Sequence, residues 1–375
     1  MKISFYAPLK PISSQNPSGD RLIGRLFKKA WEQAGHQVEV ASTFRSYEGK
    51  GNRERQARLR RIGLKAAEKV LRQLQKDPPD VWFTYHLYRK APDWIGPLVC
   101  RSLNIPYVVA EASIAPSQSA GPWAEGYAAV EDALSQVDLV VGTTAADEIC
   151  LLPQLPEKAQ YLRLKPFLDI IPFKDAAERR PRARSEFSRS RSIPQHIPWL
   201  LTVAMMRPGV KFESYQVLAQ ALHQCAATPW HLLVAGHGPV FDDVKTLFAG
   251  LQQRITWLGE MTAPDIAALY AASDIYVWPS VRESPGMTFL EAQASGLPVV
   301  GGDGGGVADV IAHQVGGFLA KKRDAGEFAG YVERLLNAPG LRQSMGLAAR
   351  SYVETNHSLE QAANRLNEGL SVILP

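Results

Sequence analysis

The amino-acid sequence predicts an α/β protein of two domains, each an open parallel sheet flanked by helices, and three observations carry that prediction. Short β-rich runs alternate with helical patterns through most of the chain, an order that implies parallel strands joined by helical crossovers. The rhythm breaks once, across residues 170–194, and then begins again. At 375 residues the chain is also too long for one comfortable core, so two domains of roughly 150–200 residues are the expected division.

The first half reads in order as KISFYAP, a helical GDRLIGRLFKKAWEQAG, QVEVAS, a long basic helix, DVWFTYHL, PDWIGPLVCRSLN, PYVVAEA and VDLVVGTT. Residues 176–194 hold six Arg between Arg179 and Arg191, with several Ser and Pro, and read as a linker or surface loop between domains at 1–175 and 195–355. Beyond it the strands PWLLTVAMM, WHLLVAG, ITWLGE, DIYVWPS and LPVVGG are each followed by a helix or loop. The tail from Glu327 to Leu374 has apolar residues at helical spacing, and a last helix over 356–375 is expected to pack back on the N-terminal domain.

No apolar run approaches the roughly 20 residues that would span a bilayer, and the opening MKISFYAPLK reads as a mature N-terminus entering a buried strand. Cys100, Cys150 and Cys225 lie far apart without CxxC or histidine-paired spacing, which argues against a disulfide framework or a zinc site and for a reducing, cytoplasmic compartment. The net charge of +5 conceals an asymmetry: residues 1–193 carry +9 and the remainder −4. The source of that excess is the helical pattern over 53–76, with Leu59, Ile62, Ala66, Val70 and Leu74 along one stripe and Arg and Lys around it. Its basic face is either the solvated side of a core-packed helix or a surface suited to an anionic membrane met from the cytoplasmic side. No RNA-recognition motif, zinc finger or aromatic-basic interleaving appears, so nucleic acid is not expected.

The strongest chemical signal is VWPSVRESPGMTFLEAQASGLPVV, residues 277–300, where seven residues separate Glu283 from Glu291. A strand ends in a polar loop, Ser284 suits the N-cap and Pro285 the first helical position, so Glu283 stands before a helix and Glu291 inside it. Gly286 removes a side chain where a ligand would approach, and the N–H groups of Gly286, Met287 and Thr288 leave the helix end where its dipole favours an anion. That is the chemistry of a diphosphate site, with Glu283 placed to accept from sugar hydroxyls and Glu291 from the hydroxyls of a ribose. Phe289, Leu290, Ala292 and Ala294 leave Glu291 little polar face to occupy.

This segment resembles the glutamate-pair motif of retaining glycosyltransferases of family 4, which share the two-domain GT-B fold with glycogen synthases. The resemblance covers nearly the whole chain and implies two Rossmann-like domains facing each other across a donor-binding cleft. It implies that Glu283 contacts the transferred sugar and Glu291 the ribose. In TVAMMRPGVKFESYQ it implies that Arg207 and Lys211 grip the donor diphosphate, although Met205 stands where many relatives place the Arg. LLVAGHGPV would bring Gly236 and Gly238 close to the nucleotide, and TWLGEM would hold the base near Gly259 and Glu260. In the first domain, Gly19 of PSGDRLIGRL would close over the donor, while His86, Glu111 and Ser113 at strand ends would contact acceptor or sugar. Relatives often carry a histidine where this chain has Glu111.

The reaction so implied moves a sugar from a UDP- or GDP-linked donor to a glycan or lipid-linked acceptor with retention, and needs no cofactor. No two aspartates have Asp-x-Asp spacing, so metal independence is expected. A nicotinamide-dependent dehydrogenase fits less well, since neither GHGPVF nor GGDGGGV completes G-x-G-x-x-G. The alternatives kept open are a non-catalytic sugar-nucleotide binder and an epimerase on the same architecture.

Overall fold

The computed structural model describes residues 1–14, 18–282 and 286–374, with side chains throughout those ranges except at 146 and 147. The chain forms two compact units, the first from Met1–Lys165 with the segment from Leu359 onward, the second Pro166–Ser358.

In the first unit β1 (Lys2–Tyr6), α1 (Gly19–Gln33), β2 (Gln37–Ser42), α2 (Arg53–Leu74), β3 (Val81–Tyr85), α3 (Gly96–Leu103), β4 (Tyr107–Ala110), α4 (Ala124–Ser135), β5 (Leu139–Gly142), α5 (Ala145–Leu151) and β6 (Gln160–Arg163) follow in order. The second unit continues with α6 (Ile171–Glu178), α7 (Arg180–Arg191), β7 (Trp199–Val203), α8 (Val210–Gln224), β8 (His231–Ala235), α9 (Phe241–Leu247), β9 (Ile255–Gly259), α10 (Ala263–Ala272), β10 (Ile275–Trp278), α11 (Met287–Ala294), β11 (Val299–Gly302), β12 (Gly317–Ala320), α12 (Ala325–Asn337) and α13 (Pro339–Asn356). The last helix, α14 (Leu359–Ile373), returns to the first unit and packs on α1, β5 and β6.

Among the described residues each unit holds one six-stranded sheet, ordered β2-β1-β3-β4-β5-β6 and β12-β11-β10-β7-β8-β9, and every pairing is parallel. The inner strands are continuous apolar runs because helices cover both faces of a parallel sheet. Trp31, Trp82 and Tyr107 are buried in the first unit, and Trp199, Trp230, Trp278, Tyr215, Tyr270 and Tyr276 in the second. In both sheets the order reverses beside the first strand of the unit, which sends connections to opposite sides and opens a crevice at the strand C-termini.

Three features differ from the sequence-based expectation. Residues 176–194 are not a linker or loop: α7 occupies most of them, and the break between units lies earlier, at Pro166. The arginines there are structural. Arg180 and Arg184 form ion pairs with the two oxygens of Asp274 at 2.6 and 2.8 Å, and they donate to the last carbonyls of α10, Arg180 to Ala271 at 2.7 Å and Arg184 to Ala272 at 2.8 Å. These are carbonyls a helix end leaves without intrahelical partners. Each sheet also gains an edge strand that the hydrophobic pattern did not reveal, the half-exposed QYLR of β6 and the glycine-led GFLA of β12. Finally, the buried line of α2 runs through Gly63, Ala67 and Val70, while Ile62 is exposed.

Candidate functional site

In the second unit the strand C-termini of β10, β7, β8 and β9 carry the predicted donor-binding residues on adjacent loops. The first of these loops leads to α11, which begins at Met287 with Gly286 in the N-cap position at φ 72°. Glycine is required there by backbone conformation, because φ in that range penalises a Cβ. Glu283 and the capping residues assigned to Ser284 and Pro285 lie outside the described residues. Met287 and Thr288 form the first turn, whose N–H groups have no intrahelical acceptor.

Glu291 lies one turn further on and is half-buried. Tyr270 of α10 donates its phenol to Glu291 Oε2 at 3.0 Å, and Tyr276 donates to Thr288 Oγ1 at 2.8 Å. Burial pushes the Glu291 carboxyl up to about 7, a rise that the Tyr270 hydrogen bond reduces. A carboxyl poised there exchanges between a donor and an acceptor near neutral pH.

On the neighbouring β7 loop, Gly209 turns the chain at φ 80° into α8, whose second residue is Lys211. The Lys211 ammonium stands 5.3 Å from the ring centroid of Trp278, the last residue of β10, so the cation is held at the strand end that leads into α11. Arg207 is exposed and has no side-chain partner among the described residues, and Met205 beside it is 48% exposed.

The glycine turn after β8 is also dictated by steric contact within the protein. A Cβ on Gly236 would come within 2.0 Å of Ala204 O, and one on Gly238 within 2.1 Å of Met206 O. The glycines let this loop lie directly on the β7 loop, where Met206 N–H donates to His237 O at 3.1 Å, and on its other side Gly236 N–H donates to Gly259 O at the end of β9 at 2.8 Å. Glu260 follows β9 on the surface, with no side-chain partner among the described residues.

The first unit gathers a second cluster at the C-termini of its own sheet. Gly19 opens α1 and has open space among the described residues where a Cβ would stand. Asp20, next along, pairs with Lys10 and lies 3.6 Å from His86 Nδ1. Burial would raise the Asp20 carboxyl, but Lys10 and His86 hold it below its ordinary value. His86 and Glu111 follow β3 and β4 with φ of 64° and 57°, a left-handed conformation that costs a non-glycine residue about 1 kcal/mol or more. The adjacent strand pins each one: His86 N–H donates to Ala110 O at 2.9 Å, and Glu111 N–H to Val141 O at 3.0 Å. Thr143, just past β5, donates its hydroxyl to Glu111 Oε1. Ser113 is exposed nearby, its N–H donating to Leu87 O at 2.9 Å.

The structure thus joins Lys211 to the β10 end, Glu291 to Tyr270, and His86 to the helix that Gly19 opens. Thr143 and Tyr270 were missed in the sequence, and Asp20 stands out there only as the neighbour of Gly19. Tyr270 sits in an apolar helical pattern, ALYAAS, that carries no sign of a polar partner.

Residues 197–338 match the family model described as glycosyl transferases group 1. The chain is 29% identical over 251 residues to the D-inositol 3-phosphate glycosyltransferase of Salinispora arenicola, covering 64% of this chain and 55% of that protein. It spans 35%, 55% and 37% of the length of the plant sulfoquinovosyl transferase, the Salinispora arenicola enzyme and a Corynebacterium glutamicum mannosyltransferase that it matches. Its architecture is similar to that of a Rickettsia africae glycosyltransferase, with a TM-score of 0.77 at 19% identity over 99% of this chain and 98% of the other. It is similar also to Anabaena HepE solved in complex with UDP and glucose, with a TM-score of 0.70 at 20% identity over 99% of each chain.

Proposed function

We propose, on the premise that residues 197–338 are a glycosyl transferases group 1 domain within a GT-B fold, that the protein transfers a sugar from a nucleotide diphosphate donor to a glycan or lipid-linked acceptor, retaining the anomeric configuration. The observation that carries this reading is the Glu291–Tyr270 pair one turn inside α11, on the strand end where Lys211 is held against Trp278. Glu291 accepts the ribose hydroxyls. Lys211, Arg207 and the first-turn amides of Met287 and Thr288 supply positive potential as the diphosphate leaves, so the charge is neutralised without a metal ion. Glu283 serves the transferred sugar, Gly236, Gly238 and Glu260 shape the donor side, and His86, Glu111 and Ser113 orient acceptor or sugar hydroxyls in the first unit.

The HepE complex makes UDP-linked sugars the first donors to test and GDP-linked sugars the second. Thermal shift against UDP and GDP, followed by assays of donor turnover with and without chelator, tests the proposal. Nucleotide-dependent stabilisation with chelator-insensitive turnover is expected. Binding without turnover would favour the non-catalytic or epimerase-like alternatives, and no binding would remove the donor reading.

One observation favours a lipid-linked acceptor. Arg58, Arg61, Lys65, Lys69 and Arg72 are exposed on the outer face of α2, around the exposed Ile62, and none has an ion-pair partner among the described residues. Like charges three and four residues apart destabilise an isolated helix by a few tenths of a kcal/mol per pair, a cost that an anionic surface reverses. The α2 face is accordingly proposed to rest on anionic lipid, where the acceptor is found. Among the described residues no helix is long and apolar enough to cross a membrane.

A further inference from the structure

His237 is exposed at the turn between Gly236 and Gly238, and its imidazole stacks on Phe241, with ring centroids 4.9 Å apart and planes inclined by 26°. Phe241 is held from below. Its ring meets Trp257 of β9 edge-on at 5.7 Å, and Trp257 in turn meets Phe248 at 5.8 Å. The imidazole is therefore the outermost layer of an aromatic stack that continues into the buried core at Phe248.

The backbone beneath it is closely packed and hydrogen-bonded. His237 O accepts from Met206 N–H at 3.1 Å, Phe241 N–H donates to Gly238 O at 3.1 Å, and the two flanking glycines lie too close to Ala204 O and Met206 O to carry side chains. A flat ring supported on one face and exposed on the other, on a loop hydrogen-bonded and closely packed against its neighbour, is a preformed stacking platform: little order is lost when a second flat ring covers it.

Its place in the sheet identifies the ring it would meet. β8 lies next to β7, whose loop carries Arg207 and leads into Lys211 of α8, and two strands from β10, which leads to Glu291. Two strand spacings are about 10 Å, within reach of a base attached to a ribose held on that side of the edge. We propose that His237 is a binding residue for the base of the nucleotide, stacking on it with support from Phe241. This rests on the nucleotide-donor reading above and deepens it, since it assigns part of the affinity to a π-face that both pyrimidines and purines possess.

The test is calorimetric titration of the full chain with UDP, with GDP and with inorganic pyrophosphate, for the unaltered protein, His237→Ala and His237→Phe. Stacking on an aromatic side chain contributes enough that its loss weakens binding by roughly tenfold. His237→Ala should weaken the tighter-binding nucleotide about that much and leave pyrophosphate unchanged, while His237→Phe, which keeps a flat ring on Phe241, should restore affinity to within about twofold. Equal nucleotide affinity in His237→Ala and the unaltered protein overturns the platform while leaving the donor reading intact. Equal loss of nucleotide and pyrophosphate, or failure of Phe to rescue, overturns it as well. An unaltered protein that binds neither nucleotide removes the donor reading and the platform with it.

Discussion

Protonation of Glu291 sets a pH dependence that separates its role from that of every other group near α11. Its carboxyl is raised from an ordinary 4.5 to about 7 by burial, with Tyr270 as its hydrogen-bond donor at 3.0 Å. At 1.36 kcal/mol per tenfold change in proton affinity, the folded protein holds that proton more tightly by about 3 kcal/mol, an upper value for a half-buried group. That stability is fully present below about pH 4.5 and is lost as pH rises towards about 7. In the proposed ribose role, nucleotide binding runs the other way. Only the carboxylate accepts two ribose hydroxyls, and its fraction grows from about one tenth at pH 6 to about nine tenths at pH 8. Affinity for a nucleoside diphosphate should therefore improve about tenfold, or about 1.4 kcal/mol, across that interval. Glu291→Gln should be flatter by that factor, because the ionisation of the diphosphate itself is common to both proteins. Calorimetry at pH 6, 7 and 8 reads both slopes, and parallel slopes would refute the ribose assignment. Tyr270→Phe adds a second arm: with its donor gone, Glu291 should titrate higher and the midpoint of the affinity gain should move up in pH.

Lys211→Ala should weaken binding of the same nucleotide by about 1.5–3 kcal/mol, read by calorimetry, if the ammonium near Trp278 makes a charge-assisted bond to the diphosphate. Asp274→Ala leaves Arg180, Arg184 and the Trp199 N–H, which donates to Asp274 at 2.7 Å, without their acceptor. The urea midpoint should fall by the equivalent of about 3 kcal/mol, and Asp274→Asn should recover part of it. Sedimentation with vesicles should show binding that requires anionic lipid, falls as ionic strength rises, and drops when Arg58, Arg61, Lys65 and Arg72 become Gln, at up to about 1 kcal/mol for each charge. Equal recovery with neutral vesicles would leave a soluble acceptor as the better reading.

The sequence made the inner sheet legible because parallel strands buried on both faces must be apolar throughout, as in WLLTV, HLLVA and IYVW. The edges escaped for the same reason. β6 faces solvent on one side and β12 is short and opens on glycine, so neither carries the run that marks a central strand. The arginine-rich segment was misread because the signal for a linker is the lack of an apolar stripe, whereas α7 is held by guanidinium groups on a carboxylate and on helix-end carbonyls. Polar anchoring of that kind leaves no periodicity to read. The glycines after β8 were legible as constrained positions, yet the constraint is the neighbouring loop at 2.0–2.1 Å. A sequence shows that a side chain is unwelcome and is silent on what excludes it. Tyr270 shows the limit most clearly. In the helix pattern it fills an apolar position, and that position is buried, but its hydroxyl reaches across to α11 and holds Glu291. The apolar ring satisfies the core while the polar tip holds a partly buried carboxylate, so a residue with such a polar partner leaves the same trace in sequence as one that only fills space. The glutamate is visible from its spacing; the group that sets its proton affinity becomes visible only once α10 and α11 are side by side.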